Sequence, residues 1–387
     1  MNLNFGRQAE RFREEARDWL EGRLSGEWRD ARGRGGPGDE EGCFEIRRAW
    51  ELELGRSGYI GLEWPRSVGG RELSFVEHVV WHEEYVRARA PGRLGHIGEM
   101  LLGPTMLAFG TEAQKQRILP PLLRGEALWC QGYSEPDAGS DLASVRTTAI
   151  LTPQGWSITG QKVWTSHAQW ADFCFVLCRT QLDAQRHAAL SYLLVPMKQP
   201  GVTVRPIRQL TGTSEFNEVF FDGALTSEDN VVGAPGEGWR VAMGTLAFER
   251  GASTLGQQLN FETELSGLIA TARERGLFAD DEMRRRIARA AMGLRLMRLN
   301  FLRFSSQAEG RGAFVAKLFW SELHKKQGEL ALEVLGLGAE LTLENGLTPV
   351  QRASLFARAD TIYAGSSEIQ RNLIAERALG LPREPRR

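Results

Sequence analysis

Between residues 126 and 234 the chain changes its period, and that change limits the folds open to it. The runs ILTPQGWSITGQKVWTS, FCFVLCRT, SYLLVPM, GVTVRPI and NEVFFDGAL are short, rich in β-branched and aromatic residues, and punctuated by Pro and Gly. Such runs build the antiparallel strands of a barrel or sandwich. On both sides of this region apolar residues recur at helical spacing instead. Ala9, Phe12, Ala16, Trp19 and Leu20 mark one stripe, followed by the polar, Gly-rich loop ARGRGGPGDEEG. Helical patterns resume at FEIRRAWELELGRSG, SFVEHVVWHEEYVRA and TEAQKQRILPPLLRG. The last carries a Thr-x-x-Gln capping signal, then a Pro-Pro pair expected to break the helix and end the region. From GEGWRVAMGTLAFERGASTLGQQL onward the pattern is helical again, nearly free of proline until Pro382. Helices, then strands, then helices predict an α+β chain. The expected domains are N-terminal and helical over 1–125, central and β over 126–234, and C-terminal and helical over 235–387.

Composition excludes several classes of function. The formal net charge is −1 over 387 residues, so no basic footprint for nucleic acid or anionic membrane is present. No apolar run approaches the roughly 20 residues of a membrane-spanning helix. The first 20 residues mix both signs of charge without an apolar core, so neither a secretory signal nor a transit peptide is expected. The four cysteines, Cys43, Cys130, Cys174 and Cys178, point to a reducing compartment, and the expected location is cytoplasmic. Cys174 and Cys178 lie in ADFCFVLC, where a period of two puts both on one strand face as small core residues. His78 and His82 are spaced i, i+4, but no H-E-x-x-H accompanies them, so no metal is expected.

Two stretches invite a chemical reading. WCQGYSEPDAGSDLAS (129–144) is rich in small polar residues; Asp137 and Gly139 favour turns, while Ser140 and Asp141 can cap or donate to a ligand. By its composition alone it is a surface connection. In GQKVWTSHAQWADF (160–173), Trp164 is flanked by Thr165 and Ser166. That pairing offers an aromatic face beside hydroxyl donors and suits a flat heterocycle, although a core Trp is the ordinary alternative.

Together with FNEVFFDGALTSEDNVVG, AFERG and YAGSSEIQRNLIAERALGLPR, these stretches resemble the acyl-CoA dehydrogenase family in its usual order, over essentially the whole chain. The resemblance implies a C-terminal four-helix bundle behind an antiparallel β domain, with FAD bound between them and its face open to an acyl-CoA thioester. A carboxylate would remove the α-proton while the β-hydride leaves for the flavin, and electrons would pass to an electron-transfer flavoprotein. Residue by residue, Tyr133 and Ser134 match the loop whose backbone and hydroxyl hold the flavin. Gly139 belongs to the same loop, and Ser140 matches its substrate end. Trp164 and Ser166 match the Trp that packs on the flavin and the hydroxyl that donates to it. Ser366 and Glu368 match positions near the adenosine and pyrophosphate. A carboxylate at 368 would repel a pyrophosphate unless it points away or bonds a ribose hydroxyl, and it also reads as an ordinary first-turn charge. The implied substrate-side residues are Ser140, Arg250, Tyr363 and Gly365.

The family's usual general base is missing. Most members carry Glu between the Tyr and Gly of DTIYAGSSEIQRN, and here that residue is Ala364. Its backbone N–H can still donate to the thioester carbonyl. A minority, resembling the isovaleryl-CoA and long-chain enzymes, place the Glu on the first long helix after the β domain, and Glu249 of LAFERG matches it. On that helix Thr245, Leu246, Ala252 and Ser253 surround Glu249, extended by Ala242 and Gly256. A carboxylate on this small, apolar face would be poorly hydrated and its pKa raised toward neutrality, as a base for an α-C–H requires. Arg250 would point about 100° away, leaving Glu249 unneutralised.

Two features depart from the family, both on the side that serves the adjacent subunit's FAD. Its Arg-x-x-Phe-Gly becomes ARERGLFADDEM, where neither Arg273 nor Arg275 is a clear pyrophosphate ligand. Its Gln-x-x-Gly-Gly becomes EVLGLG, with Glu333 and Leu337 in place of the Gln and second Gly. Both exchanges disfavour close approach of a pyrophosphate. The assembly is therefore either a homo-oligomer (dimer or tetramer) with a re-routed site or an α2β2 heteromer with a related chain. The competing functions are a flavin acyl-CoA oxidase and a non-catalytic partner subunit.

Overall fold

The computed structural model describes residues 5–26, 28–36, 38–181, 183–248, 253–305, 313–342 and 346–383. Among the described residues five α-helices come first: α1 (Arg7–Leu24), α2 (Phe44–Arg56), α3 (Phe75–Arg87), α4 (Gly103–Phe109) and α5 (Glu112–Leu123). The stripe Ala9, Phe12, Ala16 and Leu20 is buried against Trp50, Leu54, Tyr59 and Trp81, while Trp19 packs at the edge of this core. The Thr111–Gln114 capping box forms as expected at the start of α5. Its end differs from expectation, because α5 runs through Pro120 and Pro121 and stops at Leu123. Proline fixes a helix-compatible φ, and near a C-terminus it forfeits only its own N–H bond. Gly125, at a φ of 67°, then turns the chain toward the sheet.

Eight strands follow: β1 (Trp129–Gly132), β2 (Thr148–Thr152), β3 (Gly155–Ser166), β4 (Phe173–Arg179), β5 (Leu190–Pro196), β6 (Val202–Pro206), β7 (Phe216–Thr226) and β8 (Val231–Val232). Their order is β6-β7-β3-β2-β4-β5-β8, with β1 beside β4. Most neighbours are antiparallel; β1 runs parallel to β4, and β2 meets β4 in parallel at Thr148 and Arg179. Alternation along β4 feeds two cores. Phe175 and Leu177 join Trp129, Tyr133, Tyr192 and the helices on one face, and Cys174, Val176 and Cys178 join Cys130, Val219 and Phe221 on the other. The shared face expected for Cys174 and Cys178 is therefore present, and all four cysteines are free thiols. Burying a side chain such as Phe175 contributes roughly 1.5–3 kcal/mol.

The C-terminal region holds α6 (Gly238–Phe248), α7 (Ser253–Glu274), α8 (Asp281–Ser305), α9 (Ala313–Leu335), α10 (Pro349–Phe356) and α11 (Ser367–Leu373). Val241 and Ala242 of α6 pack into the sheet's helical face. Phe261, Leu265 and Leu268 of α7, Ile287 and Leu294 of α8, and Trp320, Leu330 and Val334 of α9 form the bundle core. No helix among the described residues is long and apolar enough to cross a membrane.

Candidate active site

One side of the sheet is shaped by a bulge in β3. Its pairing with β7 slips between Lys162 and Thr165, so Val163 and Trp164 stand opposite Glu218 alone. The extra residue bends the strand and re-aims a side chain. Trp164 takes that role at a φ of 60°, in the left-handed region a bulky residue seldom occupies. Its ring is 59% exposed and touches Phe216 only edge-on, at 6.1 Å between centroids. An exposed indole held in a strained backbone is unusual unless another molecule covers it.

Beneath the bulge lies the group that holds it. Lys162 is fully buried and donates to the Glu135 carboxylate at 2.8 Å, the Leu177 carbonyl at 2.7 Å and the Tyr133 carbonyl at 3.0 Å. Glu135 also accepts from the backbone N–H groups of Arg146 (2.6 Å) and Thr147 (2.9 Å). Burial opposes the charge on both partners. In Glu135 the Lys162 ammonium and these donors outweigh it and hold the carboxyl below its usual range. In Lys162 burial prevails, and Glu135 only partly offsets the downward shift. The 133–147 loop is thereby pinned to β3 and β4, and Val163 N–H donates to the Ser134 carbonyl at 2.9 Å.

Tyr133 and Ser134 lie beside β3, bonded through their carbonyls to Lys162 and Val163, and Trp164 and Ser166 follow on that strand. Tyr133 contributes its backbone, since its ring is buried edge-on against Phe175 and Tyr192. Ser134 and Ser166 are half-buried at the rim, and Gly139 and Ser140 are exposed. Gly139 was expected for turn geometry, yet its φ is not positive and an added Cβ would meet nothing within 4 Å. Asp141 caps nothing through its side chain and instead pairs with Arg186 at 3.2 Å. Behind Ser166, His167 donates its backbone N–H to the Glu215 carbonyl at 2.9 Å. Burial, then the neighbouring Glu40 charge, push the Glu215 carboxyl up to about 8.

The second cluster surrounds Ala364. Asp360 is buried; one carboxylate oxygen meets His324 Nδ1 at 2.5 Å and the other accepts the Tyr363 hydroxyl at 2.5 Å. Tyr363, expected to face substrate, therefore turns its hydroxyl inward, with its ring tilted against Trp320 and Phe356. Ala364 stands at a φ of 51°, and its carbonyl accepts from Gln370 Nε2 at 3.0 Å. Gly365 is required here: its φ is 89°, and a Cβ would lie 2.6 Å from Gln370 Nε2. Ala364 is exposed, and among the described residues none accepts a bond from its N–H. Ser366 caps α11 by accepting from Ile369 N–H at 3.4 Å. Glu368 is exposed in the first turn, its pKa lowered by its own backbone N–H and by Ser366, and it lies 3.6 Å from Arg371. That is the placement of an ordinary first-turn charge.

Glu249, Arg250 and Ala252 lie outside the described residues. α6 ends at Phe248 and α7 begins at Ser253. Of the neighbours expected around Glu249, Ala242 and Thr245 are fully buried, and Thr245 shares a 2.8 Å hydroxyl contact with Thr105 of α4. Gly256 packs against His82, where a Cβ would approach the His82 Cβ to 3.3 Å. At the far end of the bundle, Arg273 sits over the Phe278 ring, and Arg275 donates to the Val334 carbonyl at 2.5 Å. Glu333 pairs with Arg286 at 2.7 Å, and Leu337 is 82% exposed.

Sequence reasoning missed Lys162, Glu135, Asp360, His324 and Gln370. Lys162 carries a signal, a lysine at an inward position of a strand otherwise facing the core. The others act mostly through partners 6 to 60 residues away, separations at which no local pattern reveals pairing.

Helices before and after a bulged sheet that exposes Trp164 make a three-part α+β architecture. The chain belongs to the acyl-CoA dehydrogenase family: models of its N-terminal, middle and C-terminal domains match residues 7–126, 130–224 and 236–379. It is 54% identical to acyl-CoA dehydrogenase IpdE1 of Mycobacterium tuberculosis, over 97% of this chain and 98% of that one. The Mycolicibacterium smegmatis IpdE1 is 53% identical over 97% of this chain and 99% of its own length. Among solved structures, the Tcur3481-Tcur3483 steroid ACAD has a TM-score of 0.85 at 28% identity, covering 99% of this chain and 100% of that chain. The ChsE4-ChsE5 complex of Mycobacterium tuberculosis has a TM-score of 0.83 at 28% identity, with 99% and 100% covered. The chain is thus an acyl-CoA dehydrogenase, and FAD is the cofactor of its family. The sheet side fits that cofactor, because Trp164 offers an exposed flat face and Gly139 opens onto free space. The α9 end fits a pyrophosphate poorly, since it presents Glu333 and Leu337.

Proposed function

We propose that the chain oxidises a bulky acyl-CoA thioester to its trans-2-enoyl thioester, with Glu249 as the base and the Ala364 N–H as the carbonyl donor. The observation that carries the reading is the geometry of Ala364. A left-handed alanine, fixed between the anchored Tyr363 and the Gln370 clasp, leaves one backbone donor exposed and unengaged. Such a donor stabilises the enolate oxygen that develops as the α-proton leaves, and removing one typically costs about 3–4 kcal/mol of barrier. Glu249 accepts that proton; the resemblance of LAFERG to the family's minority branch supports this role. Bound FAD supplies the hydride acceptor, held by Ser134, Trp164 and Ser166, with Ser140 at the substrate end and Ser366 and Glu368 toward the adenosine. Electrons leave to an electron-transfer flavoprotein.

The printed names of the structural relatives support two refinements: two-chain assembly and a steroid-derived acyl group. We take this chain to be one half of a heteromer whose related chain completes the pyrophosphate side, consistent with Glu333 and Leu337. Its four free cysteines suit a cytoplasmic setting. The test is anaerobic flavin bleaching by short, branched, long and steroid-side-chain acyl-CoAs, on the chain alone and with its related partner. Rapid bleaching by the polycyclic thioesters with the partner present is expected. Stoichiometric FAD in a stable homomer refutes the heteromer, and peroxide formation in a parallel aerobic assay without the electron-transfer protein favours an oxidase.

A further inference from the structure

Beneath the Ala364 loop lies a buried charged cluster that the reaction itself does not use. His324, on α9, is nearly buried and meets a carboxylate at each ring nitrogen: Asp360 at Nδ1 (2.5 Å) and Glu264 of α7 at Nε2 (2.9 Å). A neutral imidazole donates through only one nitrogen, so two carboxylate partners call for the doubly protonated ring. The Phe261 ring stacks on it at 3.8 Å, and Gln327 donates to both the Phe261 carbonyl and Glu264. Asp360 in turn accepts the Tyr363 hydroxyl, and its backbone carbonyl accepts from Lys317 of α9 at 2.5 Å. The titratable groups facing His324 are thus Glu264 from α7, Asp360 and Tyr363 from the loop, and Lys317 from its own helix.

We propose that His324 is a positioning residue: as an imidazolium clamped between Glu264 and Asp360, it ties α7 to the Tyr363–Ala364–Gly365 loop and holds the Ala364 N–H in its strained orientation. A left-handed non-glycine residue persists only where its surroundings over-determine it. Here the strain at Ala364 is opposed from one side by Tyr363 on Asp360 and from the other by Gln370. Loss of the His324 charge would leave the buried Asp360 carboxylate without its cation and free the loop to relax. The proposal rests on the Ala364 role proposed above, but the clamp itself is readable without turnover.

Burial lowers the His324 pKa, yet the bonds to Asp360 and then Glu264 overcome it and raise it to about 9. The folded pKa therefore exceeds the ordinary value near 6.5. The clamp's contribution is complete below about 6.5 and is lost as pH rises through about 9.

The test compares FAD-loaded wild type with His324→Gln and Asp360→Asn by hydrogen exchange of the segment 359–373 and by steady-state kinetics across pH 7–10. Both variants are expected to speed exchange of that segment roughly tenfold or more. They should leave the β-strand segments unchanged and raise KM for acyl-CoA. An alkaline rise in KM near pH 9 should appear in wild type and vanish in His324→Gln. Unchanged local exchange, or an alkaline limb that persists in His324→Gln, overturns the proposal. Should the variants not fold, ¹⁵N-histidine spectra of wild type at pH 7.5 decide: a His324 ring protonated on both nitrogens supports the clamp, and a neutral ring refutes it. Faster exchange in a chain inert to every acyl-CoA would uphold the clamp and defeat the enzymatic reading; normal turnover with unchanged exchange would do the reverse.

Discussion

The β3 bulge and the end of α9 each carry a charged pair, yet the two are built differently. At the bulge, a fully buried ammonium and a nearly buried carboxylate lock the 133–147 loop beneath an exposed Trp164. At the α9 end, Glu333 meets Arg286 on the surface, with side chains 49% and 33% exposed, and Leu337 stands in solvent. Burying an ion pair is costly and tolerable only where every remaining donor and acceptor is satisfied. The chain has met that condition at the bulge, through Arg146, Thr147, Leu177 and Tyr133, and not at α9. The β3 region is thus pre-organised by a buried, hydrogen-bonded ion pair, while the α9 end rests on an exposed pair.

The largest expected effect breaks the first region. Lys162→Met strands the Glu135 carboxylate in the core and should cost about 3–5 kcal/mol in urea unfolding. Arg286→Ala, removing the cation of the α9 pair, should cost less than about 1 kcal/mol, because exposed pairs are weak and screened. Equal costs would erase the contrast between the two regions.

A smaller change separates function from stability at the same bulge. Trp164→Gly relieves the positive φ and should raise stability by about 0.5–1 kcal/mol. It also removes the stacking face, so FAD affinity should fall roughly tenfold. A variant less stable than wild type, or one that binds FAD equally well, would show that the indole serves packing instead.

Glu215 gives the smallest and most pH-specific signal. Its folded pKa of about 8 lies above the ordinary carboxyl value, so its favourable protonated state is intact below about 4.5 and lost as pH rises through 8. Glu215→Gln stays neutral throughout. Its melting temperature should match wild type near pH 5 and exceed it by a few degrees at pH 8.5. A gap that is constant with pH would remove Glu215 from the account.

Much of this architecture was legible in the residues. The β-branched runs became β2 to β7, and the Thr111–Gln114 box capped α5. β1 was read as part of a loop, because WCQG is four residues long and owes its strand to parallel pairing with β4, 44 residues on. The π-helical turns at Gly98–Leu102 and Ile374–Ala378 carry no local signature, since tertiary packing decides where a helix widens. In the site, Trp164 was legible as an aromatic beside hydroxyls, whereas its bulge depends on β7 and its support on Glu135. Tyr363 was expected on the substrate side, but its bond to Asp360, which no local pattern reveals, turns its hydroxyl inward.

The central claim is that this chain supplies its own base from Glu249 while Ala364 supplies only a backbone donor. Anaerobic stopped-flow reduction of the bound flavin by the best acyl-CoA, comparing wild type with Glu249→Gln, tests it most directly. The account predicts that Glu249→Gln still binds FAD and the thioester but bleaches at least 10²–10⁴-fold more slowly, the usual worth of a positioned base. Bleaching at the wild-type rate would contradict it.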